Sequence, residues 1–332
     1  MLNQPNTKVM MKTRVWMLAI LFISFFVVSC EKEEDPIDEA KILVEYLESA
    51  EVGNYAATAM PAIKTAEHVK GLNATGAVYI IDIRAAADYA AGHIENAVNV
   101  DPKELLTHLD GMDVSMYDEI SLVCYSGQTA AWATSLLRLA GYDNVYSLKF
   151  GMCAWNADFS GSWVNNVGNS HATQFTADVT EKGPAGDLPV LNTGKETGEE
   201  ILAARLATIF AEGFGAAAIG KGDVFNALDN YYIVNYWPEA DYLDPGHIPG
   251  AMQYTPKASM GLNESLKTLP TDKQVVVYCY TGQTSANMAA YLRVIGYDAL
   301  SLKFGVNGMN YDGLDGHKWS EGAIMNYEVV TD

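Results

Sequence analysis

Cys124 and Cys279 each end an apolar run and each open the same short string, Cys-Tyr-Ser-Gly-Gln-Thr over 124–129 and Cys-Tyr-Thr-Gly-Gln-Thr over 279–284. A cysteine nucleophile acts as its thiolate, so a cysteine placed for chemistry needs surroundings that favour negative charge. Gly127 and Gly282 permit a positive φ, which curls each loop so that successive backbone N–H groups converge as an anion-binding nest. The candidate cradles are therefore Tyr125, Ser126, Gly127, Gln128 and Thr129 in one copy, and Tyr280, Thr281, Gly282, Gln283 and Thr284 in the other. A helix starting five residues after each cysteine adds partial positive charge. Together these features predict a lowered thiol pKa, and a persulfide on either sulfur would lay its outer atom in the same cradle.

The elements that must hold these loops also come in two copies. Tyr89 to Ile94 (TyrAlaAlaGlyHisIle), Gly141 to Asp143 (GlyTyrAsp) and Ser147 to Gly151 (SerLeuLysPheGly) return in the same order as Tyr242 to Ile248, Gly296 to Asp298 and Ser301 to Gly305. Two copies of so large a unit make two domains, not a solenoid. In the first copy the apolar runs Ala77 to Ile83, Ile120 to Val123 and Val145 to Leu148 read as buried strands, and Ala130 to Ala140 as a helix stopped by Gly141. The second copy repeats the pattern with Tyr231 to Val234, Val275 to Tyr278, Ser285 to Ile295 and Leu300 to Leu302. Strand, loop, helix, strand implies an α/β fold, a parallel sheet flanked by helices in each domain, with each cysteine at a strand's carboxyl end, where such sheets bind ligands. The domains are expected at 51–165 and 199–332, joined by a Gly-, Thr-, Asn- and Pro-rich linker over 166–198, and Glu199 to Glu212 reads as the helix that opens the second.

Four other residues invite a chemical reading. His93 and His247 sit in Gly-His-Ile turns, where a histidine holds a loop by hydrogen bonds rather than serving as a catalytic base. Arg84 is expected to pair with Asp88 or another nearby acid. Cys153 has Asn307 as its counterpart and reads as a small filler.

At this point the sequence resembles a known family. Asp82-Ile83-Arg84, Tyr89, Gly92-His93-Ile94 with Ala97-Val98, the six-residue loop CYSGQT, the following Gly-Tyr and the stretch from Gly151 to Trp155 look like the rhodanese domain, over nearly all of 60–160 and again over about 220–310. The resemblance implies two tandem rhodanese-like domains and a sulfurtransferase of the thiosulfate sulfurtransferase kind. Cys124 and Cys279 would carry sulfane sulfur from thiosulfate or a persulfide donor to a thiol or cyanide. The backbone amides of each loop would cradle that sulfur, the hydroxyls of Thr129 and Thr284 would offer further donors, and Asp82 and Arg84 would support the site. No cofactor is implied beyond the covalent sulfur. Neither loop contains Arg or Lys to hold a sulfonate, and the second copy has Asn235 and Trp237 in place of Asp82 and Arg84. A phosphatase would need a longer loop closed by an arginine, whereas the seventh places hold Ala130 and Ser285. The alternative from another class is a non-catalytic scaffold of the cell envelope in which the fold survives and the loops recognise a partner.

The ends and the charge complete the expectation. Among 332 residues, 49% are hydrophobic and 19% charged, and the formal net charge of -20 disfavours nucleic acid as a partner. Residues 1–29 carry Lys8, Lys12 and Arg14 ahead of an apolar run from Val15 to Val28, the pattern of a secretory signal peptide. Val27-Val28-Ser29-Cys30 resembles a bacterial lipobox, which implies lipidation at Cys30 and a membrane anchor at the outer membrane, with the charged residues that follow (30–50) as a tether.

Overall fold

Both halves of the chain build the same five-stranded parallel sheet, and the reason lies in apolar strands short enough to be covered on both faces. The structure is a computed structural model describing residues 37–58 and 60–332. In the first half β1 (Ile63–Lys64), β2 (Val78–Asp82), β3 (Val98–Asn99), β4 (Glu119–Val123) and β5 (Val145–Leu148) pair in the order β1-β5-β4-β2-β3. In the second, β6 (Ala218–Ile219), β7 (Tyr231–Asn235), β8 (Met252–Gln253), β9 (Gln274–Tyr278) and β10 (Ala299–Leu302) pair in the matching order β6-β10-β9-β7-β8. Every residue of β4 is buried, as are Val275 to Tyr278 of β9. These two central strands deliver the cysteines. Asp82 lies in register with Val123, and Asn235 with Tyr278, so the ends of neighbouring strands flank each cysteine.

Helices α1 (Glu39–Glu48) and α2 (Tyr55–Thr58) precede the first sheet, and α3 (Ala66–Asn73), α4 (Ala86–Ala91), α5 (Leu105–Asp110), α6 (Gln128–Leu139), α7 (Met152–Trp155) and α8 (Gly161–Val164) connect and follow its strands. In the second half α9 (Gly198–Glu212) leads, and α10 (Lys221–Asn226), α11 (Glu239–Leu243) and α12 (Gln283–Val294) connect the strands. The two helices that follow the cysteine loops, α6 and α12, pack on each other and form the heart of the contact between repeats. Small residues, Ala130, Ala131, Ala133, Ala286, Ala289 and Ala290, are buried along them and let the backbones approach. Polar groups caught in this seam are bonded across it: Ser135 Oγ donates to the Asn287 carbonyl at 2.9 Å, the Asn287 amide donates to the Ala131 carbonyl, and Tyr55 donates its hydroxyl to the Ser135 carbonyl at 2.7 Å. One hydrophobic core, running from Leu43 through Trp132 and Leu136 to Met288 and Tyr291, spans both repeats, and Ile37 to Asp332 form one compact unit.

The first correction concerns the tether expected over 30–50. Residues 30–36, with Cys30, lie outside the described residues, but Glu39–Glu48 is the helix α1, capped by Asp38, with Ala40, Leu43, Val44 and Leu47 buried. Its apolar face packs on α9, and the Glu39 carboxylate accepts the backbone N–H groups of Thr193 and Gly194, both at 2.8 Å. The charges of the segment hid this amphipathic stripe.

The expected linker also does more than connect. Thr176 exchanges both backbone hydrogen bonds with His247, at 3.0 and 2.8 Å, so the segment leaving the first repeat crosses the second. The carboxyl-terminal segment returns the contact. Val330 exchanges both with His93, at 2.9 Å each, and Trp155 donates its indole N–H to the Glu328 carbonyl at 3.0 Å. Each repeat is thus strapped by the tail of the other, and each strap ends on the histidine of a Gly-His-Ile turn.

Candidate active site

In both repeats the cysteine sulfur sits at the floor of a tight turn between a central strand and a helix. Gly127 has φ 82° and Gly282 φ 79°, the left-handed values expected of them. The Gly127 and Ala130 N–H groups donate to Cys124 Sγ at 3.2 and 3.3 Å, and Gly282 and Ser285 donate to Cys279 Sγ at 3.2 and 3.3 Å. The helices begin at Gln128 and Gln283, earlier than the Ala130 and Ser285 read from the sequence, because the glycine itself is the N-cap. Consequently Gln128, Thr129, Gln283 and Thr284 belong to first helical turns, and Ala130 and Ser285, outside the predicted loops, supply one of the two N–H donors.

The electrostatic expectation is corrected as well. Burial pushes the Cys124 thiol above its ordinary value, against the N–H groups of Ala130, Gly127 and Ser126, which draw it down. With Cys124 only 5% exposed, desolvation outweighs the cradle there. At Cys124 the nest is thus a set of N–H donors around a sulfur that rests as the thiol.

The SerLeuLysPheGly string, visible in the sequence only as a repeat, turns out to brace the loop. Gly151 has φ 60° and passes so close that a Cβ there would lie 2.2 Å from the Cys124 carbonyl oxygen; at Gly305 the figure is 2.1 Å from the Cys279 carbonyl. The following N–H groups use those carbonyls: Met152 donates to Cys124 at 2.9 Å and Val306 to Cys279 at 3.1 Å. Trp163 adds an indole N–H to the Ser126 carbonyl at 3.1 Å, a contact no motif announced.

Asp82 and Arg84 stand beside the first loop as a buried pair: Arg84 Nη2 lies 2.6 Å from Asp82 Oδ2, and Nε lies 3.0 Å from each carboxylate oxygen. The acid that pairs with Arg84 is therefore Asp82 rather than Asp88. The guanidinium also lies over the Tyr125 ring at 5.1 Å, which ties the pair to the cysteine loop. In the second repeat the Asn235 amide donates instead to the Tyr278 hydroxyl at 2.8 Å, and Trp237 packs against Tyr280 with the rings tilted by 47° and their centroids 4.9 Å apart. His93 and His247 are buried and face backbone carbonyls, of Tyr89 at 2.9 Å and Tyr242 at 2.7 Å, the loop-holding role their turns predict. Cys153 is fully buried, with its thiol pushed up to about 11 by desolvation, and its S–H donates to the Phe159 carbonyl at 3.0 Å.

The two loops are neighbours. The Phe304 N–H donates to Gln128 Oε1 at 2.8 Å and, reciprocally, the Phe150 N–H to Gln283 Oε1 at 3.4 Å. Each glutamine reaches across to the residue just before the glycine that braces the opposite cysteine.

A parallel sheet of this order, with a cysteine held in a backbone cradle at the end of its central strand, defines a class of α/β domain, present here twice. The chain belongs to the rhodanese-like domain family, whose model matches residues 65–158 and 222–311. Among similar proteins, the thiosulfate sulfurtransferase GlpE of Pseudomonas fluorescens is 33% identical over 93 residues, 28% of this chain and 83% of that protein. The adenylyltransferase and sulfurtransferase uba4 of Ogataea parapolymorpha is 32% identical over 88 residues, and the match covers 26% of this chain but only 22% of that protein's length. A solved thiosulfate sulfurtransferase from Pseudomonas aeruginosa is 18% identical with a TM-score of 0.29, the match covering 88% of this chain and 48% of that one.

Proposed function

We propose that the protein is a sulfurtransferase that carries sulfane sulfur as a cysteine persulfide. The Cys124 thiolate attacks the outer sulfur of thiosulfate or a persulfide. With thiosulfate, the S–S bond to the sulfonate breaks, its electron pair leaves with sulfite, and the protein holds Cys–S–S⁻. An acceptor thiolate or cyanide then attacks the outer sulfur, and the cysteine thiolate departs and regains its proton. The observation that carries this reading is the pair of backbone N–H groups, from Gly127 and Ala130, directed at a sulfur at a strand's carboxyl end. Such donors favour the anionic sulfur formed on loading, and they are fixed before the reaction starts.

Intact mass after thiosulfate treatment tests it, in wild type, Cys124→Ser and Cys279→Ser. The expected result is a gain of one sulfur atom that cyanide removes and that Cys124→Ser abolishes. Absence of any gain with thiosulfate and with glutathione persulfide would leave the scaffold reading in its place.

For location, we propose a lipid-anchored protein of the bacterial envelope, on the strength of the apolar run before Ser29-Cys30. Metabolic labelling with a fatty-acid analogue should mark the wild type and miss Cys30→Ala; equal labelling of both would refute the anchor.

A further inference from the structure

The two cysteine loops are alike, but their mouths are not. Before the first lies a pocket of about 570 Å³ walled by Ser126 and Thr129 of the loop on one side and by Phe214 and Gly215 of the second repeat on the other. Lys103, which follows β3, and Lys303, which follows β10, both line it and are both exposed. Lys303 directly precedes Phe304, whose N–H is held by Gln128, so the backbone that carries the second repeat's lysine is tied to the first repeat's loop helix. The pocket also holds one carboxylate, Asp101, leaving an excess of one positive charge in a chain of formal net charge -20.

The matching place in the second repeat is filled. Only about 10 Å³ remains between Met60 and Pro61, which precede β1 as Phe214 and Gly215 precede β6, and Pro256, Thr284, Tyr236 and Met288. Such a space holds roughly one water molecule. Two of the filling side chains are larger than their counterparts: Tyr236 stands where the first repeat has Ile83, and Met288 where it has Ala133. Cys279 is further engaged by its neighbours, its S–H donating to Ser285 Oγ at 3.7 Å, with that hydroxyl 2.9 Å from Ser301 Oγ. The first repeat has Ala130 in place of that serine.

We infer that Cys124 is the cysteine open to anionic substrate, through a pocket shared by both repeats in which Lys103 and Lys303 bind a small sulfur-bearing anion such as a thiosulfonate, while the second repeat's loop, filled on the matching side and bordered by Asp241, Asp244 and Asp315 in the space of about 290 Å³ beside Tyr280, serves to build that pocket. The cations absent from the loop itself are supplied from outside it, one of them by the other repeat. Naming the anion rests on the sulfur-transfer reading; the openness and charge of the entrance do not.

Alkylation separates the two. The full chain is treated with iodoacetate, an anion, or iodoacetamide, its neutral analogue, and labelling at Cys124 and Cys279 is followed by peptide mass mapping. Cys124 should be labelled well ahead of Cys279 by both reagents. Lys103→Gln and Lys303→Gln, exposed positions that leave the core intact, should each slow iodoacetate at Cys124 roughly 2- to 5-fold, as expected of one solvent-screened charge, and leave iodoacetamide unchanged. Equal labelling of the two cysteines, or an unaltered ratio of the reagents in the double lysine variant, overturns the inference. Thiosulfate loading is scored separately: a chain that shows the ratio shift but loads no sulfur keeps the anion entrance and loses the transferase reading, and loading at Cys279 removes the claim of a single open site.

Discussion

The Asp82–Arg84 pair shows how one residue's environment sets its energetic weight. Both side chains are essentially inaccessible, and the carboxylate oxygens are shared among guanidinium and backbone donors. Removing one partner of such a pair strands a charge in the interior, at a cost of about 3–5 kcal/mol, whereas replacing both by a packed neutral pair costs far less. At the same positions the second repeat carries neutral buried side chains, Asn235 and Trp237. Arg84→Met should therefore lower stability by about 3–5 kcal/mol in urea unfolding, and the double variant Asp82→Asn/Arg84→Trp should recover part of that loss. A single variant within about 0.5 kcal/mol of wild type would mean that the carboxylate finds solvent or another donor. Arg84 also packs on Tyr125, so the single variant should slow sulfur loading of Cys124, while the Cys124 peptide remains the one loaded.

At the scale of elements, the straps carry a prediction of their own. Residues 320–332 cover the first repeat through Met325, Tyr327 and Val330, with backbone bonds to Ala154, Trp155 and His93. Truncation after Trp319 should cost about 3 kcal/mol or more, at a net 0.5–1.5 kcal/mol for each hydrogen bond lost, and should raise amide exchange at His93 while sparing His247. Unchanged exchange at His93 would show that the strap adds nothing to the turn it crosses. Neither strap was legible in the sequence. A segment such as 166–198 shows no periodicity because it alternates between solvent and a neighbour's surface, and its bonds run through backbone groups that every residue owns. The strands were legible, since a parallel strand buried on both faces must be an apolar run: Val145–Leu148 falls where the pattern put it, Val78–Asp82 is a residue shorter at each end, and the others differ by a residue at one end. The cysteine turns were legible through their glycines, but the start of helices α6 and α12 was not, because polar Gln and Thr in a first turn look like loop. The raised thiol escaped for a different reason: it depends on how deeply the loop is buried between repeats, which no local string encodes.

The whole molecule joins two repeats into one core, and that burial has a consequence for its response to pH. The seam between α6 and α12 and the interiors beside it enclose phenols that face little water: Tyr55, Tyr278 and Tyr291 are pushed well up by desolvation, Tyr236 from 10.0 to about 12, and the Cys153 thiol from 9.0 to about 11. The folded state prefers the protonated form of each group. Their contribution to stability is whole below the ordinary values and is lost as pH climbs through and above them, because the unfolded chain then gives up protons that the fold retains. A shift of two units amounts to about 3 kcal/mol for one such group, so Tyr236 alone can remove a large part of an ordinary domain's margin by pH about 12, and the tyrosines act together. The urea midpoint should therefore fall steeply from pH about 10 upward, and phenolate absorbance should rise in one cooperative step coincident with loss of circular dichroism. Gradual ionisation at the ordinary tyrosine value with the fold intact would show that water reaches these phenols, and that the repeats part more readily than their common core implies. The same observation would bear on Cys124, whose pocket exists only while the second repeat holds Phe214, Gly215 and Lys303 against its loop.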